Sequence, residues 1–211
     1  MKWLSIARQS RQPEGLLGEV VACAMSYDTA RVNRIALEQL DPQPGEAILE
    51  LGFGSGRALA EVGARARDGF VAGVDPSEIM LRHARFRNAR FLRSGRMELQ
   101  LGEAAEIPYP AARFDRVFAV HVLYFWPEPA RELAEMHRVL RDDGLLLLGF
   151  RPKDDPLVVA RVPDTVYHLR TIDEVCALLE AGGFRDIETD VQIDQRRQIV
   201  WARARKAAVP T

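Results

Sequence analysis

The sequence predicts an α/β fold in which a doubly wound, mostly parallel sheet is covered by helices on both faces. Short apolar runs alternate with helical segments from about residue 44 to 205, which favours a parallel sheet. The run 145–150 is almost wholly apolar, as expected of a strand buried on both faces. The last two strand-like runs are close enough in sequence to pair as an antiparallel hairpin.

The elements follow one another without an internal repeat or linker, which predicts a single domain of 1–211. The first 43 residues predict helices at about 16–26 and 29–40, a helical cap on a core of 44–205. Thr171 and Glu174 form a capping box at the start of the last helix. The predicted strands are 48–51, 70–75, 97–101, 114–120, 145–150, 186–192 and 197–205, and the core helices are 58–67, 77–88, 128–140 and 171–181.

Composition argues against several classes of protein. Lysine plus arginine (29) nearly equals aspartate plus glutamate (30), so net charge gives no reason to expect nucleic acid or a membrane as partner. No run approaches the roughly 18 apolar residues of a membrane-spanning helix. Cys23 and Cys176 are isolated, without a C-x-x-C pair or a secreted disulfide framework. We therefore expect a cytoplasmic protein, and we assign no metal ligands.

The most informative segment is 48–57, a short strand that runs into a turn with glycine at 52, 54 and 56. Glycine lets the backbone pass close to a ligand, and the following helix would point its N–H groups into the same space. A second apolar run ends in Asp75. This is the layout of a nucleoside site, in which the carboxylate accepts hydrogen bonds from a ribose. The alternatives are a turn that binds nothing and an Asp75 that only caps a helix.

The spacing distinguishes between nucleosides. The dinucleotide fingerprint G-x-G-x-x-G requires glycine at position 57, which is Arg57, so a nicotinamide oxidoreductase is disfavoured. With G-x-G-x-G and Glu50 before the first glycine, the sequence resembles the class I S-adenosylmethionine-dependent methyltransferases. A carboxylate such as Glu50 suits the cationic amino end of that cofactor, whereas it would repel a pyrophosphate. The resemblance implies S-adenosyl-L-methionine as cofactor, S-adenosyl-L-homocysteine as product, and a Rossmann-like seven-stranded sheet closed by a terminal hairpin.

The resemblance also assigns the loop after the third strand. There an acid usually accepts a hydrogen bond from the adenine amino group, and the next backbone N–H meets the ring; here these positions are Glu103 and Ala104. The family more often has aspartate, so Glu103 is one methylene longer, and an exposed loop acid is the alternative. The predicted cofactor-binding residues are Glu50, Gly52, Gly54, Gly56, Asp75, Pro76, Glu103, Ala104 and His121.

Three candidates for the acceptor side follow the fourth strand, at the edge where ligands of open α/β sheets bind. His121 is the candidate general base, since imidazole titrates near neutral pH; a packed or positioning histidine is the alternative. Tyr124 and Trp126 predict an aromatic substrate wall, although Trp126 also suits the core. Tyr27 lies where the N-terminal segment of relatives folds over the site, or else at a simple turn between helices.

The predicted activity is in-line methyl transfer to a nucleophile of a small molecule, because the 151–170 segment leaves little room for a recognition lid. One rival is a methyltransferase acting on RNA or another macromolecule through a stripe of arginines between 82 and 96. With 26 arginines and three lysines in the chain, a solvated helix face is favoured instead. The other rival is a non-catalytic, cofactor-binding scaffold. The sequence determines neither the acceptor nor the oligomeric state.

Overall fold

The computed structural model describes residues 30–160 and 162–207, together with residues 7, 9, 11, 13–15 and 17–20. Residues 17–20 are helical, while Tyr27 and the rest of the predicted 16–26 helix lie outside the described residues. The helices are α1 (Ala30–Leu40), α2 (Arg57–Arg65), α3 (Glu78–Arg87), α4 (Ala89–Arg93), α5 (Ala130–Val139), α6 (Pro156–Val159) and α7 (Ile172–Ala181), with a 3-10 turn at Leu123–Phe125. The strands are β1 (Ala47–Leu51), β2 (Phe70–Asp75), β3 (Met97–Leu101), β4 (Phe114–Val120), β5 (Leu140–Phe150), β6 (Phe184–Asp194) and β7 (Arg197–Lys206).

In the described part of the chain, the strands form one sheet in the order β3-β2-β1-β4-β5-β7-β6. β1 to β5 pair in parallel, and β7 lies antiparallel between β5 and β6. The predicted doubly wound, mostly parallel fold with a terminal hairpin is therefore confirmed. The order of strands reverses between β1 and β4, and this reversal opens a crevice at their carboxyl ends.

Both faces of the sheet are covered, because successive side chains of each strand point to opposite faces. In β1, Ile48 packs with the cluster that contains α1 and α2, whereas Leu49 packs with the cluster that contains α5 and α7. Each such buried side chain contributes about 1.5–3 kcal/mol. The alternation places Glu50 on the same face as Ile48, near the end of the strand. Within the described ranges, no helix has the length and apolar character that crossing a membrane requires.

Two helix boundaries show how side chains set the limits of an element. The predicted capping box is confirmed, because Thr171 N–H donates to Glu174 Oε2 (2.8 Å) and Glu174 N–H donates to Thr171 Oγ1 (3.1 Å). The helix predicted over 77–88 instead ends at Arg87, and a second helix, α4, follows Asn88. Asn88 is fully buried, and its Nδ2 donates to Gly56 O at 2.9 Å.

The arginines between 82 and 96 do not share one helix, since the chain changes direction at Asn88. Several of them are held by the protein itself. Arg87 Nε donates to Ser55 O at 3.0 Å, and Arg96 Nη2 donates to Ala66 O at 2.7 Å. The Arg90 guanidinium lies 4.4 Å from the centre of the Phe91 ring. The predicted stripe is therefore divided between α3 and α4, and these three arginines have partners within the protein.

Candidate functional site

The carboxyl ends of β1, β2 and β4 open into a cavity of about 550 Å³. Four loops meet there, one after each of the strands β1 to β4, as expected at the point where strand order reverses. Arg11, Pro13, Val32 and Asn33 also line the cavity, so the N-terminal part of the chain contributes a wall. The predicted residues that line the cavity are Glu50, Gly52, Gly54, Asp75, Pro76, Glu103, Ala104, His121, Tyr124 and Trp126.

The glycine turn after β1 is left-handed at three positions, with φ of 70° at Gly52, 52° at Gly54 and 70° at Gly56. The glycines have different surroundings. A Cβ on Gly52 would lie 2.3 Å from Val122 Cγ1, and one on Gly56 would lie 2.7 Å from Ala84 Cβ. A Cβ on Gly54 would meet nothing within 4 Å. Gly56, which does not line the cavity, thus serves helix packing, whereas Gly54 leaves open space for a ligand.

Replacing Gly54 by alanine is expected to weaken ligand binding at least about tenfold (1.4 kcal/mol) while leaving the protein folded. The added methyl group would occupy cavity space, and the left-handed backbone would cost only about 1–2 kcal/mol of stability. Calorimetric titration and denaturant unfolding measure the two effects. Gly45→Ala is the matched control, because Gly45 also has a positive φ (82°) and open space but lies outside the cavity. Equal affinity in both variants would contradict this role of Gly54.

Glu50 is a buried carboxyl, only 4% exposed. Its Oε2 atom has no hydrogen-bond partner in the portion of the chain that the structure describes. Burial raises the pKa of Glu50 well above its ordinary value, and the negative charge of Asp75 raises this pKa further. A buried, unpartnered carboxyl is costly, and this one lies on the cavity wall, where a bound ligand could contact it.

Asp75 ties the end of β2 to the glycine turn. Its Oδ2 accepts from Gly54 N–H and its Oδ1 accepts from Ser77 N–H, both at 2.9 Å. Burial raises the pKa of Asp75 to about 6, although the two backbone hydrogen bonds lower it. Ser77, not Asp75, is the N-cap of α3, since its Oγ accepts from Met80 N–H. The capping alternative for Asp75 is therefore wrong, and each carboxylate oxygen keeps a lone pair for a ligand.

The loop after β3 brings Glu103 and Ala104 to the cavity wall opposite the glycine turn. Glu103 is exposed, and its charge acts on Asp75, whose pKa it raises slightly. Glu50, Asp75 and Glu103 thus make this half of the cavity acidic. Pro76 lines the cavity beside Asp75.

The loop after β4 carries the predicted acceptor residues. His121 is left-handed (φ 61°), and its backbone N–H donates to Gly149 O at 2.8 Å, which fixes the residue to β5. Tyr124 is buried and also lines the cavity. Trp126 packs against the hydrophobic core and also lines the cavity. The two alternatives predicted for this residue, cavity wall and core, are therefore compatible.

Several cavity residues were not assigned by sequence reasoning. Tyr167 lines the cavity, and its ring centroid lies 5.2 Å from that of Tyr124 and 5.0 Å from that of Phe125. The turn between β6 and β7 also lies at this edge of the sheet, because β7 runs antiparallel to β5. The predicted terminal hairpin was the feature of the sequence that could have identified the residues flanking this turn. The unassigned polar residues on the cavity wall include Arg57, Arg151, Asp194 and Arg197.

These residues suit the cofactor that the sequence resemblance implies. The ammonium group of its methionine portion matches the orphaned Glu50 carboxyl, and its ribose matches the free lone pairs of Asp75. Arg57, at the first position of α2, has a shielded Nε without an acceptor in the described ranges, and it suits the methionine carboxylate together with the N-terminus of α2.

Comparisons with known proteins agree with this arrangement. A family model described as a methyltransferase domain matches residues 49–148. The chain is 26% identical over 184 residues to an uncharacterized methyltransferase, YdaC, of Bacillus subtilis, covering 87% of this chain and 96% of that protein. It is 31% identical over 184 residues to the 27-O-demethylrifamycin SV methyltransferase of Amycolatopsis mediterranei, covering 83% of this chain and 67% of the relative.

Structural similarity extends across the same region. The crystal structure of a SAM-dependent methyltransferase from Aquifex aeolicus superposes with a TM-score of 0.66 and 22% identity, covering 82% of this chain and 88% of that one. At this identity the likeness concerns the fold. The chain spans 60% and 59% of two further relatives, both named as O-methyltransferases, from Penicillium expansum and Pyrenophora dematioidea.

Proposed function

The chain belongs to the class I S-adenosylmethionine-dependent methyltransferases, and from this premise we propose that it methylates a nucleophile on a small molecule. The observation that carries the proposal is the division of one cavity into an acidic, glycine-lined half and an aromatic half. Relatives named as O-methyltransferases and as a 27-O-demethylrifamycin SV methyltransferase support an oxygen nucleophile. We assign residues 44–205 as the catalytic core and the first 43 residues as its cap.

The cofactor half of the cavity would hold S-adenosylmethionine through residues of β1, β2 and the loop after β3. We assign Glu50 to the amino group, Asp75 to the ribose, and Glu103 with Ala104 to the adenine. The sulfonium of the bound cofactor supplies an already activated methyl group. The task left to the protein is to hold the nucleophile in line with that group, which contributes about 7–11 kcal/mol to rate enhancement.

The acceptor half would be formed by Tyr124, Trp126 and His121, which follow β4. His121 is our candidate base for the acceptor hydroxyl, and the aromatic rings line the same cavity beside it. The macromolecular alternative is less favoured, since Arg87, Arg90 and Arg96 of the predicted stripe contact the protein itself. The alternative of a non-catalytic scaffold predicts the same cofactor binding as the enzyme but no methyl transfer.

The first test is calorimetric titration with S-adenosylmethionine and S-adenosylhomocysteine, followed by measurement of S-adenosylhomocysteine formation with a panel of small hydroxylated acceptors. Cofactor binding and turnover on such an acceptor are the expected results. Binding without turnover on any small acceptor would favour the scaffold. Turnover on RNA alone, lost with rising salt, would favour the macromolecular alternative.

Asp75→Asn is expected to weaken S-adenosylmethionine binding by about tenfold or more (1.4 kcal/mol). The amide turns a donor toward Gly54 or Ser77, so one backbone N–H loses its acceptor and stability also falls by about 1–3 kcal/mol. Asp115→Asn is the matched control, because Asp115 also accepts from a backbone N–H, that of Ala47, but does not line the cavity. A comparable loss of affinity in both variants would mean that Asp75 acts through stability alone.

A further inference from the structure

The residues that flank the turn between β6 and β7 line the same cavity as the aromatic rings. Phe150 of β5 pairs with Val200 of β7, so this turn lies at the carboxyl end of β5. Its central residues, Gln195 and Arg196, are both left-handed (φ 49° and 68°), as a two-residue hairpin loop of type I′ requires. The paired residues on either side are Asp194 and Arg197, which are thereby fixed at the cavity wall.

One of the two arginines at this end is neutralised. Arg151 Nη2 lies 2.5 Å from Asp194 Oδ2, and Arg151 Nη1 donates to the carbonyl oxygens of Arg197 (3.2 Å) and Gln198 (3.0 Å). This side chain is only 10% exposed and its partner Asp194 3%. The pair therefore holds the turn in place and contributes no net charge.

Arg197 is the cation that remains. Its Nε is shielded from solvent and has no acceptor among the described residues, and its Nη2 makes only a long contact (3.4 Å) with Gln195 Oε1. The second oxygen of Asp194, Oδ1, is also without a described partner and adds a partial negative charge nearby. The formal charges of Arg151, Asp194 and Arg197 nevertheless sum to plus one at this end of the cavity.

Two guanidinium groups with an unmet Nε thus line one cavity, those of Arg57 and Arg197. Arg57 begins α2 beside the glycine turn, where the methionine carboxylate of the cofactor is expected. The cofactor has only one carboxylate. Arg197, on β7 across the sheet from that turn, is therefore left for the acceptor.

Aromatic rings line the same cavity as Arg197. The rings of Tyr124, Phe125 and Tyr167 lie 4.9–5.2 Å apart, centre to centre. Tyr124, Arg151 and Arg197 line the same cavity; burial raises the pKa of Tyr124, and the positive charges of the two arginines oppose that rise. A cluster of aromatic rings and an uncompensated cation therefore line the same cavity.

We propose that the methyl acceptor combines an apolar body, packed against the rings of Tyr124, Phe125 and Tyr167, with an anionic group, carboxylate or phosphate, bound by Arg197. Guanidinium binds either anion through paired N–H donors, and it does so most strongly where water is excluded. This assignment rests on the proposed function, since it places the acceptor in the half of the cavity that the cofactor leaves open.

The test uses benzoate, phenyl phosphate and the neutral benzamide as probes, titrated into the protein saturated with S-adenosylhomocysteine and followed by ligand-observed NMR. The wild-type protein is expected to bind at least one anion about tenfold more tightly than benzamide. The anion whose affinity exceeds that of benzamide by the larger factor shows whether the site prefers a carboxylate or a phosphate. Arg197→Gln is expected to abolish the preference, and Arg196→Gln to retain it, because the adjacent Arg196 is exposed and does not line the cavity.

Each result has a separate meaning. Equal binding of all three probes to the wild-type protein would overturn the anion assignment, as would a preference that survives in Arg197→Gln. Affinity for S-adenosylhomocysteine is measured first in every variant, and its retention shows that the protein is folded and the cofactor half intact. Failure of the wild-type protein to bind S-adenosylhomocysteine would instead contradict the proposed function.

Discussion

Replacing Glu50 by glutamine is expected to weaken S-adenosylmethionine binding by about 10- to 150-fold, the equivalent of losing about 1.5–3 kcal/mol from a hydrogen bond to a charged group. The same change is expected to raise the free energy of unfolding of the unliganded protein by about 1–3 kcal/mol. Both effects have one cause: the carboxyl is buried, its Oε2 is unpartnered in the described residues, and it faces Asp75. Glutamine has nearly the same shape without the charge.

The pH dependence follows from the direction of these pKa shifts. The pKa of Glu50 lies well above its ordinary value and that of Asp75 is about 6, so the folded, unliganded protein binds more protons than the unfolded chain. The free energy of unfolding therefore falls as pH rises from the unfolded values, about 4, through the raised values. A cationic ligand group favours the ionised carboxylates, so affinity for S-adenosylmethionine rises over the same range and binding releases protons.

Denaturant unfolding and calorimetry at several pH values, in buffers of different ionisation enthalpy, measure these linked effects. Glu50→Gln is expected to flatten both pH profiles. Glu38→Gln, which removes an exposed acid of α1, is the control and is expected to change neither. A Glu50→Gln variant that is less stable than the wild type when unliganded would show that Glu50 has a structural partner and would contradict its assignment to the cofactor.

The convergence of Glu50, the glycine turn and Asp75 on one cavity could be predicted because these residues are close in sequence. The glycine turn, Glu50 and the tip of β2 belong to one β-α-β unit, whose geometry is set by local rules. The Thr171 capping box could be predicted for the same reason. Such features depend on neighbours a few residues apart, so the spacing of residue types identifies them without knowledge of the rest of the fold.

In the half proposed for the acceptor, the sequence pointed to the residues that follow β4, His121, Tyr124 and Trp126, but the remaining residues depend on contacts between distant segments. Arg151 and Asp194 meet only through the pairing of β5 with β7, and Tyr167 meets Tyr124 across a loop. The helix break at Asn88 is similar. A buried asparagine ends α3 because its amide reaches Gly56, and this partner is 32 positions away in the chain. The type of a residue does not by itself predict which distant residue it will contact.

His121 has a backbone that is fixed independently of its side chain, and this makes its proposed role testable. The left-handed conformation (φ 61°) and the hydrogen bond from its N–H to Gly149 O hold the residue at the end of β4. Asparagine adopts left-handed conformations more readily than most residues. His121→Asn should therefore preserve the loop and change only the group presented to the cavity.

If His121 removes the proton of an acceptor hydroxyl, His121→Asn is expected to lower kcat by about 10²- to 10⁴-fold, while S-adenosylmethionine affinity stays within about threefold of the wild type. The limb of the kcat profile that arises from an imidazole titrating near neutral pH should disappear, and activity should then rise with the ionisation of the acceptor itself. His83→Asn is the control, since His83 pairs with Glu19 and does not line the cavity. A variant whose KM rises while kcat and its pH profile are unchanged would show instead that His121 positions the acceptor, and that the methyl group is transferred to a nucleophile that is already deprotonated.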